Sequence, residues 1–252
     1  MNCFKKDYSQ YYDLLYKRKN YVKEFLFIKK TIKKYLKKPK SLMDIGCGTG
    51  TYSKLMTNLG LDVLGIDISK HMLDIAKKKY KHVKKIKFLK SDICKLKIKK
   101  NFDIISALFH ILSYQTTPKK INNFFKNSNK HLKEGGILIF DFWYKDGVMN
   151  LKSPLKFRKV ENKNLSVYRI TKSIWHNNLD EIHDNHYLTI FNKKSNKMKT
   201  FKEVHKMKYF KIDTIKKYLK SNNFKYLLSY DLSTNRAVNK NSWGALVIAQ
   251  KI

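Results

Sequence analysis

The chain has 252 residues, 42% of them apolar, which is enough for one α/β domain with a full core and a short appended element. Lys and Arg number 55 against 19 acids, a formal charge of +36. The cations run along almost the whole chain, as in Lys77-Lys78-Lys79 and the run from Lys97 to Lys100, so they read as a solvated surface rather than a dedicated polyanion site. Cys3, Cys47 and Cys94 lack the spacing of a disulfide framework or metal site. No stretch reaches the length of a membrane span, and Met1 to Asp7 lacks the apolar run of a leader. A reduced, cytoplasmic chain with no metal and no membrane partner is expected.

Residues 1 to 19 are rich in Tyr and punctuated by Asp7 and Asp13. From about Asn20 to Lys38 the apolar residues Val22, Phe25, Leu26, Ile28, Ile32, Tyr35 and Leu36 follow helical spacing, and Pro39 stops the helix. Ser41 to Ile45 is a buried strand that meets a glycine turn, followed by a helix from Tyr52 to Leu59. A second strand at Leu61 to Asp67 leads to a helix from Lys70 to Tyr80, capped by Ser69. Ile86 to Lys90 and Phe102 to Leu108 are the third and fourth strands. A helix from about Lys119 to Leu132 then turns at Gly135-Gly136 into the most apolar strand, Ile137 to Phe142. Strands alternating with helices in this way predict a parallel sheet covered on both faces.

After Tyr144 the helical period is lost. Between about Lys156 and Phe210 two-residue alternations dominate, with turns at Asn177-Asn178 and Lys193 to Asn196, which predicts an inserted antiparallel sheet. The α/β frame resumes with a helix from Asp213 to Ser221 and strands at Phe224 to Tyr230 and Ala245 to Ala249. The expected organisation is therefore an α/β domain over 1–144 and 211–252 with a β subdomain over 145–210.

Chemistry concentrates at the strand ends. Asp44-Ile45-Gly46-Cys47-Gly48-Thr49-Gly50 is a G-x-G-x-G turn with an acid two residues before its first glycine. Glycines there allow a sharp turn and close approach of a ligand, and the acid suits a cationic amino or sulfonium end better than a pyrophosphate. Asp67 ends the second strand, where an acid accepts hydrogen bonds from two ribose hydroxyls. Asp92, after the third strand, is placed to accept from the exocyclic amine of adenine. Each could be an ordinary surface or capping residue. Three acids at successive strand ends, in a chain with so few acids, argue for a ligand.

On Asp44 to Gly50, Gly65 to Ser69, Ser91-Asp92-Ile93, Phe102-Asp103 and Leu132 to Gly136, the sequence resembles the class I S-adenosylmethionine-dependent methyltransferases. The resemblance implies a Rossmann-like, seven-stranded α/β fold with an inserted antiparallel β-sheet, and S-adenosyl-L-methionine as cofactor. Asp67 would hold the ribose and Asp92 the adenine amine, with Ile68 and Met72 against the base and Gly46 and Gly48 beside the methionine moiety. The full implied set is Tyr12, Tyr21, Asp44, Gly46, Cys47, Gly48, Gly50, Asp67, Ile68, Met72, Asp92, Ile93 and Leu108.

The flanks Tyr12 to Tyr16, Lys19-Asn20-Tyr21, Phe109 to Tyr114, Asp141 to Tyr144, His186 to Ile190 and Val204 to Met207 look like those of nucleotide-linked amino-sugar N-methyltransferases. That likeness implies methyl transfer to an amine, or a hydroxyl, of a small sugar-nucleotide acceptor. The Tyr segment would close over the cofactor, and the insert would form part of the acceptor pocket or a homodimer contact. His110 and Tyr12 are then the expected catalytic groups, His110 because it follows the fourth strand and an unperturbed imidazole has its pKa near working pH. His176, His183, His186 and His205 could face one another across strands but lack metal-ligand spacing. The competing readings are a methyltransferase of another small metabolite and a nucleic-acid (RNA) methyltransferase, the latter favoured by the charge. The second lacks an Asn/Asp-Pro-Pro-Tyr/Phe signature where Ser106-Ala107-Leu108-Phe109 stands, and no RNA-binding module is recognisable. No specific nucleic-acid partner is expected.

Overall fold

The structure is a computed structural model that describes residues 3–231 and 233–252. Met1 and Asn2, the start of the segment read for a leader, lie outside the described residues, as does Leu232.

Seven strands form the frame: β1 (Ser41–Ile45), β2 (Asp62–Asp67), β3 (Ile86–Lys90), β4 (Phe102–Ala107), β5 (Leu132–Tyr144), β10 (Phe224–Tyr230) and β11 (Gly244–Lys251). They run in the order β3-β2-β1-β4-β5-β11-β10. The first five are parallel, and β11 runs antiparallel to both neighbours. Side-chain alternation splits the core into two layers. Leu138, Phe140 and Phe142 of β5 face α5 (Pro118–His131) and α7 (Ile212–Ser221). Ile137 and Ile139 face α2 (Tyr21–Tyr35) and α3 (Thr51–Thr57). The helix starts have local causes. Asn20 accepts from the Lys23 amide at 2.9 Å ahead of α2, and Thr117 caps α5 with Pro118 in its first turn.

The insert is a meander of four strands: β6 (Leu155–Glu161), β7 (Leu165–His176), β8 (Glu181–Asn192) and β9 (Lys197–Phe210). It is not a detached sheet. The end of β9 pairs in parallel with the end of β5, Trp143 with Tyr209 and Tyr144 with Phe210, so all eleven strands form one continuous sheet. Even-numbered residues of β6 and β8 and odd-numbered residues of β7 and β9 face inward, toward α1 (Lys6–Leu15) and the frame. His183 and His186 therefore point to opposite faces. The four histidines fall into two pairs, His176 with His183 and His186 with His205, and not one cluster.

Three elements differ from the sequence reading. The Tyr-rich start is α1, which buries Tyr8, Tyr12 and Leu15 along one stripe. A short α6 (Lys145–Asn150) follows β5, where no helix was expected. Strand β5 begins at Leu132, not Ile137: Leu132 pairs with Phe102, and a register shift through the Gly135-Gly136 segment brings Ile137 opposite Ile104.

The starts of β1 and β4 are tied by Asp103. Its carboxylate accepts from the Lys40 and Ser41 amides at 3.0 and 2.9 Å, from the Ser41 hydroxyl at 2.7 Å and from Lys133 Nζ at 2.8 Å. Burial alone would raise its pKa. Lys133, Ser41 and the two amides outweigh that and bring it to about 2, against an ordinary 3.8. A depressed folded-state pKa stabilises above the unfolded value, and the effect is lost as pH falls through the folded one. Asp103→Asn should lower the thermal midpoint by roughly 2 °C at neutral pH, a modest figure because the group is partly screened by solvent. Scanned at lower pH, the difference should disappear between about pH 4 and about pH 2.

Candidate active site

The carboxyl ends of β1 to β4 open into a cavity of about 930 Å³, its solvent mouth included. Its floor is the turn after β1. The Gly46 and Cys47 amides donate to the Ile66 carbonyl at 2.7 and 3.1 Å, which stitches the turn to the end of β2. Gly46 has φ +67, and a β-carbon there would come within 2.2 Å of Ile111 Cδ1. Only glycine fits.

Three carboxylates line the cavity. Asp67 accepts from the Gly48 amide at 2.9 Å and the Ser69 amide at 2.8 Å. Burial raises its pKa, with the Ser69, Gly48 and Ile68 amides opposing. Asp44 accepts from the Ser53 and Ser106 hydroxyls at 2.6 and 2.9 Å. Burial lifts it to about 6, the two serines opposing and Asp67 adding. Asp92 caps a single 3-10 turn, accepting from the Cys94 amide at 2.9 Å. A carboxylate row on one wall suits a ligand with hydroxyl, amine or cationic groups.

The roof is the N-terminal segment. Phe4, Tyr12 and Tyr21 close the cavity, with Tyr114 from the loop after β4. The Phe4 carbonyl accepts from the Ser69 and Ser9 hydroxyls at 2.8 and 3.0 Å, and its amide donates to Glu203 of β9. Asp13, on α1, accepts from the Thr49 hydroxyl in the glycine turn at 2.6 Å and from Lys79 Nζ at 2.8 Å. Burial holds the Tyr12 phenol well above its ordinary pKa, so it stays neutral.

Of the residues singled out in sequence, Tyr12, Tyr21, Asp44, Gly46, Cys47, Gly48, Asp67, Ile68, Met72, Asp92, Ile93 and Leu108 all line this cavity. Gly50 does not. It is the left-handed residue that starts α3, and a β-carbon there would meet Phe88 at 2.8 Å, so its role is the turn itself. His110 is not in the lining either; it sits behind Phe109, which takes the place at the wall. The His110 amide donates to Asp141 Oδ1 at 2.7 Å, and its Nδ1 lies 3.1 Å from Asp141 Oδ2 without in-line hydrogen-bond geometry. Burial lowers its pKa, Asp141 opposing and Lys19 adding, which leaves a neutral imidazole near pH 7. Lys19 pairs with Glu24 and lies 4.8 Å from the Phe109 ring centre.

Sequence reasoning passed over Phe4, Thr49, Phe109, Tyr114 and Gln115 as wall residues, and Asp13 as the group that ties the roof to the floor. Asp13 left a signal: it is an acid inside an apolar, Tyr-rich stretch in a chain where cations are the rule.

Residues 42–136 match a family model described as a methyltransferase domain. A putative methyltransferase of Geobacillus is 29% identical over 136 residues, 53% of this chain and 55% of the relative. A dTDP-3-amino-3,4,6-trideoxy-alpha-D-glucopyranose N,N-dimethyltransferase of Streptomyces venezuelae is 25% identical over 55% of this chain and 58% of its own. The chain thus spans little more than half the length of these relatives. Among solved structures, an S-adenosylmethionine-dependent methyltransferase from Clostridium acetobutylicum superposes with a TM-score of 0.81 at 24% identity, over 99% of both chains. The fold is that of a class I methyltransferase. Within it, the cavity occupies the carboxyl ends of the parallel strands, where open α/β sheets bind ligands.

Asp44 gives the site a pH signature. Its folded-state pKa is raised above the ordinary 3.8, so the contribution is greatest below that value and is lost as pH rises through about 6. Asp44→Asn should therefore match or exceed the wild type in thermal midpoint near pH 8, and lose that advantage near pH 4, in scans without ligand. A variant that is less stable at high pH would show that the ionised carboxylate stabilises this fold.

Proposed function

We propose that this chain transfers a methyl group from S-adenosyl-L-methionine to an amine of a small acceptor, of the sugar-nucleotide class on which the Streptomyces relative acts by name. The observation that carries this reading is Asp67. Its carboxylate is fixed by two backbone amides at the end of β2, within a cavity walled by Asp44 and Asp92 and roofed by Tyr12 and Tyr21.

The residues fit the cofactor. Asp67 would accept from the ribose hydroxyls, Asp92 from the adenine amine, and Ile68, Met72 and Ile93 would pack on the base. Asp44 and the Gly46–Gly48 backbone would border the amino-acid end. When bound, the cofactor supplies an electrophilic methyl on a sulfonium. The chain's residues would hold the acceptor nitrogen in line with that methyl, so that its lone pair would form the C–N bond as the C–S electrons pass to sulfur, and the nitrogen's proton would go to water or, through it, to His110. What the chain supplies is alignment and exclusion of water, which can provide much of the barrier reduction. Tyr12, neutral and on the wall, is the group we assign to orient the acceptor amine. His110, one ring further out, would act by holding Phe109 and Asp141 or by taking the proton through an intervening water. The inner face of β6–β9 would complete the acceptor side.

Calorimetry with S-adenosylhomocysteine and S-adenosylmethionine tests the core of the reading. The wild type should bind at micromolar level, and Asp67→Ala should bind about tenfold or more weakly, because two hydroxyls lose a charged acceptor. Equal affinity in the mutant would remove the reading's main support.

With an amino-sugar nucleotide as acceptor, Tyr12→Phe and His110→Asn should each cut turnover by roughly ten- to a thousand-fold. His110→Asn should leave cofactor affinity unchanged, since His110 lies outside the cavity lining. An unaltered rate and pH profile would assign His110 to packing alone.

A further inference from the structure

In a chain that places Lys at nearly every cationic position, only Arg18, Arg158, Arg169 and Arg236 are arginines. Two of the four stand directly opposite each other on β6 and β7, on the inward face of the insert. Like charges opposite one another across a strand pair are destabilising, and among the described residues neither guanidinium has a carboxylate within ion-pair distance. Arg158 donates to the Leu15 carbonyl at 3.1 Å. Arg169 donates to the Tyr8 and Tyr16 hydroxyls, both at 3.2 Å, and its Nε is buried with no partner. Each guanidinium lies 5.7 Å from the centre of the Tyr16 ring.

A third cation adjoins. Lys156 shares the inward face of β6 with Arg158, and its ammonium lies 4.0 Å from the Trp243 ring centre. Burial lowers its pKa, Arg169 adds to the effect, and Asp184, itself held by Ser173, opposes it. Stacking on Tyr16 is one reason for arginine over lysine, but that packing and the bonds to Leu15, Tyr8 and Tyr16 use few of the ten guanidinium N–H donors among the described residues. A pair of planar forks, kept where the composition otherwise favours Lys, suits bidentate recognition of an oxyanion.

We propose that Arg158 and Arg169 bind a phosphoryl group of the methyl acceptor, with Lys156 as a further cation and the Tyr8 and Tyr16 hydroxyls as neutral donors. Three cations share this face with two acids, Asp184 and Glu203, the latter already taken up by the Phe4 and Lys5 amides, and they suit a diphosphate ester better than a singly charged carboxylate. The site lies one ring away from the cavity: Tyr16 packs at 4.9 Å on Phe109 and 4.8 Å on Tyr12, both wall residues. An acceptor held here by its phosphoryl end would reach the Tyr12 wall past Tyr16. The role as an acceptor subsite rests on the methyl-transfer reading; anion binding by the two arginines does not.

The test is calorimetric titration with inorganic pyrophosphate, uridine diphosphate and succinate, each with and without saturating S-adenosylhomocysteine. The wild type should bind pyrophosphate and uridine diphosphate and take succinate at least about tenfold more weakly. Arg158→Lys and Arg169→Lys keep the charge and lose the fork, and each should weaken diphosphate binding by about tenfold or more with S-adenosylhomocysteine affinity unchanged. A surface variant, Lys97→Gln with Lys99→Gln and Lys100→Gln, should bind as the wild type does. Equal losses in the surface variant would mean diffuse attraction to a basic protein. That result, succinate bound as tightly as diphosphate, or Arg→Lys variants indistinguishable from wild type would each overturn the proposal. Absence of S-adenosylhomocysteine binding by the wild type would instead count against methyl transfer, and the titrations without it would still read the arginine pair.

Discussion

The end of β2 is the point on which the site is built. The Ile66 carbonyl takes two amides from the turn after β1, and Asp67 takes a third from Gly48 and a fourth from Ser69. Those four bonds fix the glycine turn, the start of the following helix and the orientation of a buried carboxylate at once. They also make that carboxylate tolerable, since a buried acid without donors is costly. The roof depends on the same place: the Ser69 hydroxyl holds the Phe4 carbonyl, and Thr49, inside the turn, holds Asp13. Floor and lid share one set of anchors.

The frame was legible because its signals are local. Apolar runs closed by acids and glycines mark β1 and β2, and the 3.6-residue spacing of Phe25, Ile28 and Ile32 marks α2. The parts that escaped are settled by tertiary contact. The α1 stripe is mostly tyrosine, which reads equally as surface or core until the insert packs against it. The pairing of β9 with β5 joins residues 66 positions apart in sequence through only two residue pairs, with no local pattern to announce it. Twelve of the fourteen residues singled out for the site do line one cavity, most of them because they follow strand ends, with Tyr12, Tyr21 and Met72 brought in on helices. Gly50 and His110 do not: Gly50 is packed against Phe88 and Tyr80 at the start of α3, and His110 lies behind Phe109 against Asp141.

Net charge describes this protein poorly. Most lysines lie on exposed helix faces and turns, where charge is screened and each cation matters little. The informative charges are the minority. Asp13, Asp44, Asp67, Asp92 and Asp103 each have a defined partner, and two of only four arginines face each other with no carboxylate in ion-pair distance among the described residues. A biased composition therefore sharpens the meaning of its exceptions.

The continuity of the sheet from β5 into β9 constrains how the insert can vary. Inward and outward residues alternate along the meander, so removing one residue from the middle of a strand would send the remainder of that strand's inner side chains to solvent. The ladder also forbids the insert from rotating as a hinged lid without breaking the bonds at Trp143–Tyr209 and Tyr144–Phe210. Variation in such a scaffold is confined to exchanging side chains in place or to altering the turns at 177–180 and 193–196. The wall behaves as a fixed pegboard, and only its pegs are free to vary.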